Sequence, residues 1–90
     1  MGFEIVQIVP MTDGVSIAFE VAKQVEARLA IYDCSGHLIR RIFEGVAVPG
    51  VQRVVWDGRS SKGGEAASGI YHAVLQSQDA RAAKKLLWRR

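Results

Sequence analysis

The chain has 90 residues, which is enough for one domain with a modest hydrophobic core. Hydrophobic residues make up 49% and charged residues 23%, which excludes the apolar-poor composition of disordered proteins. No uncharged apolar run is long enough to cross a bilayer, and a single cysteine, Cys34, excludes an internal disulfide. The net charge of +3 has its source at the end of the chain, where Asp79 is followed by Arg81, Lys84, Lys85, Arg89 and Arg90.

Apolar and polar residues alternate with a period of two along most of the chain, which indicates β-strands. The predicted strands cover residues 3–9, 15–21, 26–33, 37–44, 51–57, 69–77 and 80–89. Turn residues such as Ser35-Gly36 and Pro49-Gly50 separate them, and residues 58–68 form the longest loop. Pro10 is expected to end the first strand because proline cannot donate a ladder hydrogen bond.

The alternation assigns faces to the strands, with one irregularity. In the first strand it groups Phe3, Ile5, Gln7 and Val9 on one face. In the fourth strand the adjacent apolar pairs Leu38-Ile39 and Ile42-Phe43 break the pattern. A β-bulge or a change of sheet would explain these pairs, because a bulge shifts which face each later residue occupies.

Seven short strands separated by turns predict an antiparallel sandwich or a small barrel. The gaps are too short for the crossovers that parallel strands require. Good helix formers at residues 22–30 and 80–87 leave a helical alternative open, although both segments are short and lack a capping box.

Several blocks occur in an order and spacing that resemble one known family. They are the hairpin Ile31–Arg40, Pro49-Gly50, Trp56-Asp57-Gly58-Arg59, Ser68-Gly69-Ile70-Tyr71 and Lys84-Lys85-Leu86-Leu87. Over about residues 12–90 the chain resembles the FlgD-like immunoglobulin-like domain, named after the flagellar hook-capping protein. The resemblance implies an all-β, immunoglobulin-like antiparallel β-sandwich of about seven strands. It also implies a C-terminal module of a larger secreted or surface protein of bacteria.

The signature residues of these blocks have structural roles that elementary chemistry explains. They are Tyr32, Asp33, Gly36, Trp56, Asp57, Gly58, Gly69 and Tyr71. Trp56 should pack between the sheets, and Tyr71 should bury its ring while its hydroxyl reaches a partner. Asp57 can accept backbone N–H groups in an Asx turn that needs a positive φ at Gly58. Gly69 would allow a close approach of backbone at the start of a hairpin.

No catalytic residue, metal ligand or cofactor site is predicted. Cys34 and His37 are three residues apart at a tight turn, but no third group orients them as a catalytic pair. His37 and His72 are too few for a histidine metal site. The loop at Asp57 resembles a calcium loop, but its next alternate residue is Arg59, which a cation does not recruit.

The basic end of the chain is the candidate interaction surface. It comprises Arg81, Lys84, Lys85, Trp88, Arg89 and Arg90. Clustered positive charge beside an aromatic ring can bind nucleic acid or another polyanion. The charges alternate with apolar residues, however, as in a terminal strand with one solvated face. Trp88 is expected to be the most exposed aromatic residue because it lies near the chain end.

Together these observations predict a non-catalytic accessory module that packs against other domains of its parent protein or contacts a secretion or surface component. A C-terminal sorting signal is the alternative, and a polyanion binder is the second alternative. The opening residues, Met1-Gly2-Phe3-Glu4, lack the features of a signal peptide, so an export signal is expected outside this fragment. The parent protein is expected outside the cell or on its surface.

Overall fold

The structure, a computed structural model, describes residues 2–90, so that Met1 of the predicted domain lies outside the described residues. These residues form seven β-strands: β1 (Phe3–Met11), β2 (Gly14–Val21), β3 (Val25–Asp33), β4 (Leu38–Ala47), β5 (Gly50–Trp56), β6 (Gly69–Ser77) and β7 (Arg81–Trp88). No helix occurs among them. The strand prediction is therefore confirmed, and the helical alternative for residues 22–30 and 80–87 is wrong.

The strands form two antiparallel sheets that pack face to face. One sheet has three strands in the order β1-β2-β5, and the other has four in the order β4-β3-β6-β7. Two short segments, between β2 and β3 and between β4 and β5, join the sheets, and the longer loop 57–68 joins them between β5 and β6. The predicted immunoglobulin-like β-sandwich of about seven strands is confirmed.

The core lies between the sheets and is built from the inward residues that the alternation predicts. On β2 and β3, Ile17, Phe19, Leu29 and Ile31 are completely buried. Alternate residues of β5 and β6 join them, and Trp56 is the largest fully buried side chain. Apart from Trp56, Tyr71 and Trp88, no described residue with a polar or charged group in its side chain is buried, so hydrophobic burial holds the layers together.

Strand β4 contains the irregularity that its sequence predicts. Ile39 and Ile42 are extra residues, because the register with β3 shifts after Leu29 and again after Ile31. Each belongs to one of the adjacent apolar pairs, and both pack against the core. Bulging thus lets the neighbours Ile42 and Phe43 both reach the core, whereas Leu38 stays exposed beside Ile39.

Strand β1 departs from the prediction in two ways. The register with β2 shifts between Ile5 and Gln7, which makes Val6 an extra residue. Gln7 and Val9 consequently lie on the exposed face, so their predicted grouping with Ile5 is wrong. Pro10 does not end the strand but pairs in register within it. The edge position of β1 tolerates proline because the side without a neighbouring strand needs no N–H donor.

No helix capable of crossing a membrane occurs in residues 2–90.

Candidate functional site

Two aromatic signature residues, Trp56 and Tyr71, meet Trp88 of the predicted interaction surface at one end of the sandwich. Trp56 of β5 lies 5.4 Å from Tyr71 of β6 and 5.3 Å from Trp88 of β7, measured between ring centroids. The Trp56–Tyr71 contact is edge-on, a geometry that aromatic quadrupoles favour. Because β5 belongs to one sheet and β6 and β7 to the other, the cluster joins the two layers.

Each of these rings also donates its one polar hydrogen to the long loop, residues 57–68. The Nε1–H of Trp56 donates to the Arg59 carbonyl at 3.0 Å, and that of Trp88 donates to the Ala66 carbonyl at 3.1 Å. The Tyr71 hydroxyl donates to the Ala67 carbonyl at 2.6 Å. The aromatic cluster therefore fixes the loop at three carbonyls as well as filling the core.

The Tyr71 bond is a hallmark of immunoglobulin-like sandwiches. Tyr71 lies near the start of the second-to-last strand, and its hydroxyl reaches backbone four residues upstream. This arrangement is the tyrosine corner. Burial, followed by the charges of Asp33 and Cys34, raises the pKa of the Tyr71 phenol above its ordinary value, so the phenol keeps the proton that it donates.

Gly58 has a packing role that the sequence alone does not reveal. Its φ of 78° is the positive value that the Asx-turn interpretation predicts. A Cβ at this position would also collide with the six-membered ring of Trp88, which lies against the glycine. Trp88 itself is only 8% exposed. The prediction that Trp88 is the exposed aromatic residue is therefore wrong, because the loop folds over its indole.

Asp57 starts the loop with the predicted turn. Its Oδ1 accepts the backbone N–H of Arg59 at 3.0 Å, and the Arg40 guanidinium lies 3.5 Å from the same oxygen. Farther along, the N–H of Ala66 donates to the Gly58 carbonyl at 2.7 Å. The loop is thus a hydrogen-bonded unit, and Oδ1 of the half-exposed Asp57 carboxylate contacts donors of the chain itself.

The hairpin between β3 and β4 is organised by Asp33. Its Oδ1 accepts the backbone N–H groups of Ser35 and His37, each at 2.9 Å. The His37 N–H bond is the main reason that the pKa of Asp33 lies below its ordinary value, since it stabilises the charged carboxylate. Gly36 supplies the predicted positive φ, 87°. The turn therefore depends on one ionised side chain and one glycine.

Cys34 and His37, the two residues considered as a catalytic pair, each contact another residue of the domain. The Cys34 thiol donates to the Ile70 carbonyl at 3.1 Å, and Nδ1 of the exposed His37 ring lies 3.5 Å from Asp33. The structure records no hydrogen bond between Cys34 and His37 in the described part of the chain. Nor do three histidine, cysteine or carboxylate side chains converge anywhere in residues 2–90.

Two further predictions concern the start of β6 and the basic end. An added Cβ on Gly69 would meet no atom within 4 Å, so the close-approach interpretation of this glycine is wrong.

In β7, Arg81 and Lys85 lie on the outer face of the strand, whereas Lys84 lies on the same side as the buried residues Leu86 and Trp88. Nη1 of Arg90 lies 3.7 Å from Oε1 of Glu65. The basic residues are therefore divided between two faces.

The fold and its tyrosine corner define an immunoglobulin-like module, and comparison with known proteins places it more closely. The model of the FlgD Ig-like domain family matches residues 6–81. The chain belongs to this family. The match starts earlier than the resemblance seen in the sequence and ends at the first residue of β7.

A solved structure has the same fold. The crystal structure of FlgD from P. aeruginosa aligns with a TM-score of 0.67 at 20% sequence identity. The alignment covers 97% of this chain and 66% of that one, so the chain spans about two thirds of the solved protein's length. Comparison with curated proteins gives no match.

Proposed function

We propose that this domain is a non-catalytic structural module that packs against and positions a neighbouring domain of a larger secreted or surface protein of bacteria. The observation that carries the proposal is that these aromatic and acidic side chains form hydrogen bonds with the domain's own backbone. The polar atoms of Trp56, Tyr71 and Trp88 all bond to backbone of the loop 57–68. The carboxylates of Asp33 and Asp57 bond to backbone of their own turns. These groups hold shape, which is what a spacer or attachment module requires.

The loop 57–68 is the surface that this arrangement favours for domain contacts. Its ends are fixed by the aromatic cluster, while Arg59, Lys62 and Glu65 remain exposed. A surface that is already ordered loses little conformational entropy when a neighbour binds it. The solved FlgD structure extends beyond the part that this chain matches, which supports a parent protein larger than the module.

The sorting-signal alternative and the polyanion alternative remain distinct proposals. A sorting signal would need the same sandwich, with recognition by an export component. A polyanion binder would need clustered charge, and the division of Lys84 from Arg81 and Lys85 between faces weakens that alternative.

The experiment compares the parent protein with and without this module. For a structural module, its removal lowers the Tm of the preceding domain, because packing between domains is lost, and leaves export unchanged. Loss of export with an unchanged Tm would instead identify a sorting signal. Retention of the isolated domain on heparin at about physiological salt would identify a polyanion binder.

A further inference from the structure

The outer face of the four-stranded sheet has an open depression at its centre. The registers of β3, β6 and β7 place one residue of each strand side by side across this face: Ala30, Val74 and Ala83. Ala30 and Val74 are only 5% and 6% exposed, yet neither belongs to the core cluster between the sheets. Taller neighbouring side chains of the outer face therefore cover them from the sides, and these small residues form a floor.

The walls of this depression are polar or aromatic, and its volume is about 310 Å³. Tyr32 and His72 border the floor on one side, and Gln76 and Arg81 border it on the other. The turn at Cys34 adds a rim, because its thiol donates to a backbone carbonyl of β6 at 3.1 Å and so holds the turn beside that strand. This volume is at the lower limit of ligand pockets, so it suits one or two side chains of a partner better than a whole small molecule.

Among the described residues, four cationic side chains surround the floor. They come from three strands and are Arg28 of β3, Arg41 of β4, and Arg81 and Lys85 of β7. All four are exposed, and none forms an ion pair or a side-chain hydrogen bond within residues 2–90. Arg40, by contrast, contacts the Asp57 carboxylate. Unpaired cations around an apolar floor create a positive potential that an anionic partner would complement.

Two carboxylates on the same face restrict which anion fits. Glu44 lies directly opposite Arg28, and Glu26 precedes Arg28 by two residues, so both occur at one end of the face. The other end has the exposed apolar side chains of Ile70 and Leu87, which lie directly opposite each other. A nucleic acid brings uniform negative charge, which the carboxylates repel, and its phosphates make no use of an apolar floor. A protein segment in which carboxylates alternate with apolar side chains matches both features.

We propose that the outer face of the four-stranded sheet binds an extended acidic segment of a partner protein. Apolar side chains of the segment would enter the depression, and its carboxylates would pair with Arg28, Arg81 and Lys85. Arg28 joins the two β7 cations only through the sheet order, which is why the chain end alone suggested a basic surface. The site is separate from the loop 57–68, so an acidic partner could bind while that loop contacts a neighbouring domain.

The probe is a blocked peptide of about eight residues that alternates aspartate with leucine, titrated into the isotope-labelled chain and followed by NMR. We expect a Kd of about 100 µM at low salt, and binding should weaken as salt is added. The amide shifts of β3, β6 and β7 should change most. The same peptide with asparagine in place of aspartate should bind at least roughly tenfold more weakly, because the charged hydrogen bonds are lost.

Two adjacent residues of β7 provide a matched pair of variants. Lys85→Glu reverses a charge on the outer face, whereas Lys84→Glu makes the same change on the other side of the strand. We expect K85E to weaken peptide binding about tenfold and K84E by no more than about twofold. Ala83→Phe, at an exposed strand position that tolerates a larger side chain, should fill the depression and weaken binding without lowering the Tm.

The same titrations can overturn the proposal. Unchanged amide shifts at about 1 mM peptide, or equal weakening by K84E and K85E, would show that this face is not the site. Unchanged affinity of A83F would show that the depression does not receive the segment. Tighter binding of a single-stranded oligonucleotide of equal charge, weakened by K85E but not by A83F, would identify a nucleic-acid surface instead.

Discussion

At the scale of single residues, two glycines with similar positive φ values allow the cost of backbone strain to be measured apart from the cost of a collision with a neighbouring ring. Gly58 and Gly36 have φ values of 78° and 87°. An added Cβ would meet the Trp88 ring at Gly58 but no atom within 4 Å at Gly36. Comparing the two glycines therefore isolates how much the close approach of the indole to Gly58 affects stability.

We expect Gly36→Ala to lower the free energy of unfolding by about 1–2 kcal/mol, the cost of a side chain in the left-handed region. Gly58→Ala should lower the free energy of unfolding by about 1–3 kcal/mol more than Gly36→Ala does, because a rigid ring in the core must move. Urea denaturation of both variants measures the difference. Equal losses would show that Trp88 yields freely and that the contact is unimportant.

Asp33 makes a second prediction at this scale, concerning pH. The pKa of Asp33 is lowered in the folded state below its ordinary value of 3.8, so its carboxylate stabilises the fold above that pH. The contribution is lost as the pH falls through the folded pKa. Wild type should exceed Asp33→Asn in unfolding free energy near neutral pH, and the difference should shrink on acidification to about pH 2.5. Urea titrations at several pH values measure it, and a constant difference would contradict the role of the charge.

At the scale of elements, the loop 57–68 depends on side chains that lie on distant strands. The indole of Trp88 reaches the Ala66 carbonyl from β7, 22 residues along the chain. Removing the N–H while keeping an aromatic ring should therefore loosen the loop more than the sandwich.

We expect Trp88→Phe to leave the Ala66 carbonyl without its donor, at a cost of about 1–3 kcal/mol. Trypsin should then cut faster after Arg59 and Lys62, which lie exposed within the loop. Cleavage after Lys23, in the turn between β2 and β3, provides the internal reference. If cleavage at the loop and at Lys23 accelerated equally, global unfolding rather than loop opening would be responsible.

The strands show how far periodicity predicts structure. Alternation identified all seven strands, and adjacent apolar pairs revealed the bulges of β4. The bulge at Val6 was missed although β1 carries the same signal, the adjacent apolar pairs Ile5-Val6 and Ile8-Val9, because the predicted grouping of Ile5 with Gln7 and Val9 assumed a regular strand. Pro10 was misplaced because edge positions depend on sheet order, which the sequence does not state.

The candidate site was predictable in its local parts only. The Asx turn at Asp57 and the turn at Asp33 involve neighbours within four residues, so side-chain chemistry was sufficient. The burial of Trp88 depends on the loop closing over it, a contact between remote segments. Its position near the chain end suggested the opposite, and only the packing of the loop corrects it.

At the scale of the whole molecule, aromatic contacts bridge the two sheets at separate points. The ring centroids of Phe19 in β2 and Phe43 in β4 are 5.3 Å apart, and Trp56 contacts Tyr71 and Trp88 elsewhere along the sandwich. A domain of this size has a total stability of only about 5–15 kcal/mol. Loss of either bridge should therefore threaten the cohesion of both layers.

Trp56→Ala tests this dependence. Trp56 is completely buried, so its truncation should lower the free energy of unfolding by about 3–5 kcal/mol. Val55→Ala, at the neighbouring residue that is 54% exposed, should change it by no more than about 0.5 kcal/mol. Urea denaturation followed by circular dichroism compares the two, with the β-sheet signal reporting the sandwich. Cooperative unfolding of W56A at the wild-type midpoint would mean that the indole does not clamp the sheets, and Tyr71 and Trp88 would then hold the loop 57–68 without it.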